Sequence, residues 1–522
     1  MIKNFKWLLL ASLSFVACNN DDESIMSAEV AVVPGTASFA KYVALGDSFA
    51  AGYSDGALFI KGQEGSYTNL LSQQFALAGG GEFTTPYTSD NIGGLLLGGN
   101  VIAGSRLYFN GVGPVSVSGK PTTEVGTRIV GPFNNLGVPG AKSYHLIAPG
   151  YGNLAGVALG LSNPYFARFA TTNGTTVIAD ALVQAPTFFS LWIGGNDVLG
   201  YATSGGIGKN QTGNLNPASY GSNDITDPNV FASVYAGLVT NLTASGAKGV
   251  VANLPYVSTL PYFTTVPYNP ISTSVLGAGN KAVGVATVAA LNAQLYGPLH
   301  SALAFLSQGS RIALLSATGT NPMLIKDESL TNLSASLTQV LMGGGLDAAT
   351  AGQLGFIFGQ VRQSTSADLI LLPTQSVIGT APTAANSGLG VAPAFPLNSF
   401  GITFPLQDQH VLIPTEITEV KIATDAYNVS IKAIAASKGL AFVDTKVIMD
   451  KLSNGGIISN SFTLTSTYVT GGSFSLDGVH PSARGYALIA NAFSAAINTT
   501  YESTLPMIDL GLYPILYPAV IK

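Results

Sequence analysis

Five short apolar runs, separated by long polar and glycine-rich stretches, predict the strands of a buried sheet. They lie at residues 41–46, 128–134, 187–193, 249–254 and 440–444. All but the second are almost continuously apolar, which is typical of parallel strands that are covered on both faces.

Helices are predicted at 281–306 and 331–342, in the long stretch between the fourth and fifth runs, and at 416–438 and 483–493, on either side of the fifth run. The third of them begins after Thr415 with an acid-rich turn and ends before Gly439, as helix termini favour. Strands that alternate with helices predict an α/β fold of three layers, with helices on both faces of a central parallel sheet. In such a sheet, the loops at the carboxyl ends of the strands carry the site.

Residues 258–405 do not follow this alternation. They include an apolar tract rich in glycine and alanine at 343–359 and a loop rich in proline, glycine and alanine at 380–405. We interpret them as an insertion that divides the core into 41–257 and 406–500, with a C-terminal extension at 501–522. Because long insertions are often functional, a lid, a substrate-binding wall and a purely structural role all stay open.

The composition bears on two possible classes of protein, those that bind nucleic acid and those that span a membrane. Hydrophobic residues make up 47% of the 522 residues, charged residues only 9%, and the formal charge is −5. Since no basic cluster is present, the sequence argues against a nucleic-acid partner. The body of the chain has no run of about 18 uncharged apolar residues, the length that a membrane-spanning helix needs.

The N-terminus resembles the signal of a bacterial lipoprotein. Lys3 and Lys6 precede a mostly apolar stretch at 7–17, which is too short to span a membrane. It ends in Phe15-Val16-Ala17-Cys18, similar to a lipobox, and Cys18 is the only cysteine. We predict a signal peptide at 1–17, lipidation of Cys18, a solvated tether at 18–40, and export to the outer membrane or the cell surface. An ordinary signal peptide with a free thiol is the alternative.

Candidate chemistry lies in two segments at opposite ends of the chain. Ser48 follows the first apolar run, in Gly46-Asp47-Ser48, and Asp477 stands three residues before His480. A serine hydroxyl becomes a nucleophile when a base takes its proton, and a carboxylate improves the base by fixing its tautomer. The spacing lets one loop hold Asp477 and His480 together.

Two further blocks lie between these segments, in order. They are residues 135–141, Asn-Leu-Gly-Val-Pro-Gly-Ala, and residues 193–197, Ile-Gly-Gly-Asn-Asp. Together the four blocks resemble the SGNH (GDSL-type) hydrolases, a family of esterases, lipases and carbohydrate deacylases. The resemblance covers residues 40–260 and 405–500.

The resemblance implies a flavodoxin-like fold and a role for each matched residue. Ser48 is then the nucleophile, His480 the general base and Asp477 its orienting carboxylate. The oxyanion hole would consist of the backbone N–H groups of Ser48 and Gly137 and the side-chain amide of Asn196.

Other polar residues near these blocks receive a different interpretation. Asp47 and Asp197 are expected to accept hydrogen bonds from loop N–H groups rather than to take part in chemistry. His145, His300 and His410 are expected to be surface or core residues. A second acid–histidine pair stays open at one of them, because Asp408 stands two residues before His410.

Ser54 is a rival nucleophile, because Gly52-Tyr53-Ser54-Asp55-Gly56 is the only G-x-S-x-G of the chain. That motif requires a strand that ends at the serine and a helix that starts after it. Here the strand is predicted to end near Gly46 and the following residues to be loop, so we disfavour Ser54.

The sequence lacks the motifs of other enzyme classes. Residues 277–282 mimic a dinucleotide fingerprint, but no convincing strand precedes them and the next acid is Asp327. The chain has no GxxxxGK[ST], no HExxH and no cysteine pair, so neither nucleotide nor zinc chemistry is predicted. No cofactor or metal is expected.

We therefore expect a serine hydrolase that cleaves carboxylic esters, lipase- or acylhydrolase-like, through an acyl-enzyme. Its substrate would be a lipid ester or an acylated glycan, and it would reach the membrane through the lipid on Cys18. A carbohydrate O-deacetylase of the same family, and a non-catalytic surface binding protein on the same scaffold, stay as alternatives.

Overall fold

The computed structural model describes residues 31–459 and 461–521. The predicted signal peptide and the predicted lipidation site, Cys18, lie outside the described residues.

The strands are short and follow one another in this order: β1 Tyr42–Gly46, β2 Leu95–Leu97, β3 Asn100–Ala103, β4 Leu107–Phe109, β5 Pro114–Ser116, β6 Asn135–Gly137, β7 Phe188–Trp192, β8 Lys248–Ala252, β9 Leu324–Lys326, β10 Val361–Gln363, β11 Leu369–Ile370, β12 Val411–Leu412, β13 Ala441–Val443, β14 Ile457–Ser459 and β15 Phe462–Leu464.

The helices are α1 Ser48–Ala51, α2 Ile60–Glu64, α3 Tyr67–Leu77, α4 Leu154–Val157, α5 Pro164–Ala167, α6 Val177–Leu182, α7 Asn196–Thr203, α8 Pro228–Thr243, α9 Pro261–Thr264, α10 Thr273–Leu276, α11 Lys281–Leu291, α12 Gly297–Phe305, α13 Ser334–Gly343, α14 Ala348–Phe358, α15 Pro414–Ser437, α16 Thr445–Ser453 and α17 Ala483–Tyr501.

One parallel sheet organises the core, with strand order β13-β8-β7-β1-β6. Every residue of β1 and β7 is buried, as the continuous apolar runs predict. Gly46 at the end of β1 is level with Gly137 of β6 on one side and Trp192 of β7 on the other. The chain runs from β1 outward to β6 and then crosses back to β7, so the winding reverses at β1. Ligands of open α/β sheets bind at such a reversal, outside the carboxyl ends of the strands.

Helices cover both faces of this sheet. On one face α17 packs against α3 and contacts β8 and β13, whereas on the other α15 packs against α7 and α8 and contacts the same two strands. The predicted three-layer α/β/α architecture is confirmed. The helix predicted from 416 is α15, which starts two residues earlier, at Pro414, because proline suits a first helical position.

The strand predicted at 128–134 is wrong, since the strand at this edge of the sheet is β6, directly after that run. Pro132 lies inside the run and has no N–H to donate to a ladder. The N–H of Ile129 donates instead to the carbonyl of Arg168, at 2.8 Å, away from the sheet.

Two predicted loops are ordered structure. The loop expected after Gly46 is the one-turn helix α1, whose first turn is capped by the Asp47 side chain through the N–H of Phe49. The end of the predicted tether packs on the core, because Phe39 is buried and stacks on Phe75 with ring centroids 4.1 Å apart.

The predicted insertion contains its own hydrophobic cluster, whose buried members run from Val266 to Ile413. The helix predicted at 281–306 is divided into α11, a π-helical turn at Asn292–Tyr296, and α12. By length and composition alone Lys281–Phe305 could cross a membrane, and 28% of its most apolar window is buried. The tract at 343–359, for which no helix was predicted, contains α14.

Candidate active site

Ser48, His480 and Asp477 form one chain of hydrogen bonds. Ser48 Oγ lies 2.8 Å from His480 Nε2, and His480 Nδ1 lies 2.8 Å from Asp477 Oδ2. With Asp477 ionised, Nδ1–H donates to the carboxylate and Nε2 accepts from the serine hydroxyl. This is the tautomer that a general base requires.

The loop that holds Asp477 and His480 folds around its own carboxylate. Asp477 Oδ1 accepts the backbone N–H groups of Val479 at 2.9 Å and His480 at 2.8 Å. Gly478 has a φ of +73°, and a Cβ there would lie 3.0 Å from the backbone nitrogen of Tyr262. The loop therefore depends on glycine at this position, both for its backbone conformation and for space.

The electrostatics of Asp477 favour its charged form. Burial by itself raises the pKa, but the charge of His480 and the hydrogen bonds from His480 and Val479 outweigh it and lower the pKa of Asp477 to about 2. The carboxylate is therefore ionised at neutral pH and stabilises the imidazolium that forms when His480 takes a proton.

The rival serine does not meet a base. Ser54 is 1% exposed, and its hydroxyl donates to the backbone carbonyl of Pro481 at 3.1 Å. Gly56, the last residue of the same motif, donates its N–H to Asp477 Oδ2 at 3.0 Å. The G-x-S-x-G segment thus supports the loop that holds Asp477 and His480 and is not a nucleophile elbow.

Asp55 is the second anchor in this segment. Its Oδ1 accepts the N–H of Leu476 at 2.9 Å, and its own N–H donates to Ser475 Oγ at 3.0 Å. Burial raises the pKa of Asp55 to about 7. Sequence reasoning missed this role because the bonds join segments that are 420 and 421 residues apart.

Two aromatic rings enclose the imidazole of His480. The ring centroid of Tyr53 lies 4.7 Å from that of His480, and the centroid of Phe49 lies 5.3 Å from it. Tyr53 is held in place because its hydroxyl donates to the carbonyl of Gly56 at 2.6 Å. The rings restrict the imidazole to the orientation that faces Ser48.

Two predicted oxyanion donors have hydrogen atoms to offer. Among the described residues, the N–H of Ser48 forms no hydrogen bond, as expected for the first residue of a helix. Asn196 begins α7, just beyond the end of β7, and donates one side-chain N–H to the carbonyl of Ala141 at 3.1 Å. The second hydrogen of that amide is left for a substrate oxygen.

Gly137 does not fit the role that the resemblance implies. Its N–H donates to Asn135 Oδ1 at 3.0 Å and is already committed. A Cβ at this position would lie 2.3 Å from the backbone nitrogen of Ala51, so Gly137 packs against α1. The glycine is needed for the close approach of β6 to α1, the helix that begins at Ser48.

Gly140 is the better candidate donor in the same block. Within the described part of the chain its N–H forms no hydrogen bond, and its φ of +80° is a conformation that favours glycine. It precedes Ala141, the residue whose carbonyl receives the Asn196 amide. The sequence offered both glycines of residues 135–141 as candidates for this donor, and the prediction chose Gly137 instead of Gly140.

No family model, no curated protein and no solved structure matches this chain. Its functional interpretation therefore rests on the motifs and on the geometry of the site.

Asn135 is a positioning residue that the sequence prediction did not assign. Its Nδ2 donates to the carbonyl of Ala50 and to Thr68 Oγ1, both at 3.0 Å. Because its Oδ1 accepts from Gly137, one buried side chain joins the end of α1, the start of α3 and strand β6. These hydrogen bonds fix the position of α1 and therefore of Ser48.

The two aspartates next to site residues hold loops, as predicted. Asp47 accepts the N–H of Phe49 at 3.0 Å, and burial raises the pKa of Asp47 to about 7. Asp197 accepts both the N–H and the hydroxyl of Ser143, at 2.8 and 2.7 Å.

The other histidines have local structural partners. His145 Nδ1 and His410 Nδ1 each accept a backbone N–H at 3.0 Å, and burial lowers the pKa of both to about 4. His300 Nδ1 lies 2.7 Å from the carbonyl of Ile312. The second acid–histidine pair left open does not form: among the described residues no hydrogen bond or ion pair joins Asp408 to His410, and His410 Nδ1 accepts the N–H of Gln407.

One acidic group lies outside the site, where the core meets the predicted insertion. Carboxylate oxygens of Glu328, Asp408 and Glu416 approach within 4.8 Å of one another, and they are the described residues whose ligand atoms could together hold a metal ion. Burial, followed by repulsion within the group, raises the pKa of Asp408 and of Glu416. Protonation allows such carboxyls to share hydrogen bonds.

Proposed function

We propose that this protein is a serine hydrolase of carboxylic esters, of the SGNH (GDSL-type) kind. The observation that carries the proposal is the Ser48–His480–Asp477 chain of hydrogen bonds, at 2.8 and 2.8 Å. Nucleophile, base and orienting acid lie where the parallel sheet reverses its winding, with open N–H donors beside the nucleophile.

The reaction follows from this geometry. His480 Nε2 takes the proton of Ser48 Oγ as the oxygen attacks the ester carbonyl carbon, and the carbonyl oxygen becomes an oxyanion. The N–H groups of Ser48 and Gly140 and the free amide hydrogen of Asn196 stabilise that charge. The imidazolium returns the proton to the leaving alcohol.

Deacylation repeats the sequence with water. His480 removes a proton from a water molecule, the hydroxide attacks the acyl carbonyl, and the C–O bond to Ser48 breaks as Oγ regains the proton. The products are the carboxylic acid and the original enzyme. No cofactor is needed to balance these steps.

The alternative of a non-catalytic scaffold is weakened by the same geometry. A binding protein has no use for a base that accepts from a buried serine while an ionised carboxylate fixes its tautomer. The O-deacetylase alternative uses identical chemistry, so the triad does not separate it from a lipase-like enzyme.

The test is reaction of the folded protein, produced from residue 19 onward, with a fluorophosphonate probe and with p-nitrophenyl butanoate. We expect the probe on Ser48, and a loss of at least about 10⁴-fold in kcat for Ser48→Ala. Ser54→Ala is the matched control and should label normally. Labelling at another residue, or activity retained in Ser48→Ala, would overturn the proposal.

Export and lipidation through Cys18 remain part of the proposal and are tested separately. Cells that express the full chain with Cys18→Ser are compared with wild type after growth on a labelled fatty acid. We expect the Cys18→Ser protein to lose both the fatty-acid label and its association with the membrane fraction.

A further inference from the structure

A cavity of about 90 Å³ lies directly beside the catalytic residues. Its lining includes the residue that precedes each of three site residues in the chain, namely Asp47 before Ser48, Gly195 before Asn196, and Val479 before His480. The cavity therefore lies next to Ser48, beside the place where the ester carbonyl must sit.

The walls of this cavity are almost entirely apolar. Helix α16 contributes Ile448, Met449 and Leu452, and helix α17 contributes Leu488 and Ile489. Further apolar side chains come from α7 and from the segment that follows β8.

The few polar groups of the lining are mostly engaged elsewhere. Asp47 accepts from the N–H of Phe49, the Trp192 indole N–H donates to the carbonyl of Asn253, and the Thr445 hydroxyl donates to the same carbonyl. Of the described lining side chains, the Ser473 hydroxyl is left without a partner. A sugar placed here would lose hydrogen bonds to water without replacement, whereas a hydrocarbon loses none.

We propose that this cavity binds the hydrocarbon chain of the acyl group, so that the preferred substrates are esters of short to medium fatty acids. The inference rests on the proposed esterase function and extends it to a substrate class. In the acyl-enzyme the chain is attached to Ser48 Oγ, and two neighbours of that serine, Asp47 and Phe49, line the cavity. The alcohol, by contrast, must leave once His480 has protonated it.

The size of the cavity sets the preferred chain length. At about 90 Å³ it exceeds several-fold the roughly 10–15 Å³ that one water molecule needs, so it has room for more carbons than an acetyl group supplies. Each methylene buried should raise kcat/KM about fourfold until the cavity is full. An acetyl group would leave it empty, which disfavours the O-deacetylase alternative.

The insertion does not supply this binding wall. Leu260 is the one lining residue from the region 258–405, and every other lining residue belongs to the core segments 41–257 and 406–500. A larger cavity of about 770 Å³ lies within the insertion, between α12, α13 and α14. No residue of that second lining is next to a triad residue in the chain.

The first experiment compares p-nitrophenyl esters from acetate to decanoate on wild type, Ile448→Phe and Val447→Phe. Ile448 lines the cavity, whereas Val447 is its exposed neighbour on the same helix. We expect wild-type kcat/KM to rise at least tenfold from acetate to hexanoate. Ile448→Phe should lose that gain, and Val447→Phe should behave as wild type.

A second series keeps the acyl group constant. Hydrolysis of ethyl, butyl and hexyl acetate separates an acyl site from an alcohol site, because the proposal predicts no gain with a longer alcohol. A gain there, an acetate optimum, or a hexanoate optimum that survives in Ile448→Phe would overturn the assignment while leaving the esterase function intact.

Binding is also measured without turnover. Crystals of Ser48→Ala soaked in hexanoate should show the chain between α16 and α17. An empty cavity, or hexanoate elsewhere, contradicts the inference. Absence of fluorophosphonate labelling in wild type would instead contradict the proposed function.

Discussion

Asp55 and Leu476 are 421 residues apart in the chain and are joined by a hydrogen bond of 2.9 Å between the Leu476 N–H and Asp55 Oδ1. The bond ties the segment after the nucleophile to the loop that carries Asp477 and His480. Because that loop has no regular secondary structure, its position depends on such bonds rather than on a helix or strand of its own.

Removal of this anchor should lower turnover more than binding. We expect Asp55→Ala to reduce kcat about 10- to 100-fold, since a shift of about 1 Å at a reacting group has effects of this size. KM should change little, because Asp55 does not line the acyl cavity. Steady-state kinetics on p-nitrophenyl butanoate measure both quantities.

The conservative variant separates positioning from charge. Asp55→Asn keeps an oxygen that accepts the Leu476 N–H, and burial already raises the pKa of Asp55 to about 7. Its kcat should therefore stay within about threefold of wild type at pH 7. An equal loss in Asp55→Asn and Asp55→Ala would show that the hydrogen bond is not what matters.

Asp477→Asn tests the orienting carboxylate. The amide cannot stabilise the imidazolium. With its oxygen accepting the N–H groups of Val479 and His480, its NH₂ group faces His480 Nδ1 and donates to it, so the wrong tautomer is favoured. We expect kcat to fall about 10³- to 10⁴-fold while the fold is kept. A fall below tenfold would contradict the role of Asp477, and circular dichroism verifies folding.

The oxyanion donors are tested by a phosphonate adduct of Ser48. A crystal structure of the adduct should place the phosphoryl oxygen within about 3 Å of the backbone nitrogens of Ser48 and Gly140 and of Asn196 Nδ2. A contact with the Gly137 nitrogen instead would restore the original prediction.

Kinetics provide an independent check of one donor. Asn196→Ala should lower kcat about 10²- to 10³-fold, the usual effect of one such donor. Asn216→Ala, a cap on an exposed turn, is the control and should not change kcat.

The acidic group at the core–insertion boundary should make stability depend on pH. Burial, followed by the nearby carboxylates, raises the pKa of Glu416 above that of the unfolded chain. The folded state then binds more protons than the unfolded state, so the stabilisation is present at low pH and is lost as pH rises through the folded pKa. Glu416→Gln stays neutral and keeps an acceptor for the N–H of Ile413.

We expect Glu416→Gln to unfold at a temperature roughly 1–3 °C higher than wild type at pH 8.5, with the difference vanishing near pH 4. Asp425→Asn on the same helix is the opposite control. Burial by itself would raise the pKa of Asp425, but the hydrogen bonds from Lys421 and Tyr256 lower it. Removal of this carboxylate should therefore destabilise the folded protein above about pH 4. Thermal unfolding, monitored by circular dichroism, measures the change in unfolding temperature of both variants.

Much of this protein follows from local sequence. Buried parallel strands must be continuously apolar, so four of the five sheet strands were predicted close to their observed positions. The candidate site residues Ser48, Asn196, Asp477 and His480 could be predicted because each lies in a short motif that is recognisable in the sequence. The remaining strand was misplaced because the apolar run around Pro132 lies beside β6, and a ladder needs backbone donors that no hydropathy pattern reports.

The tertiary structure decided what depends on partners distant in the chain. Whether Gly137 or Gly140 offers a free N–H depends on the Asn135 side chain, which Ala50 and Thr68 hold from 85 and 67 residues away. Whether Ser54 or Ser48 meets a base depends on where the loop at 475–481 docks. The cavity proposed for the acyl chain is likewise lined jointly by α7, α16, α17 and the pair Asp47 and Phe49, which are far apart in the chain. Local sequence determines which residues can donate, accept or pack, whereas the close approach of distant segments determines which of those capacities are already used.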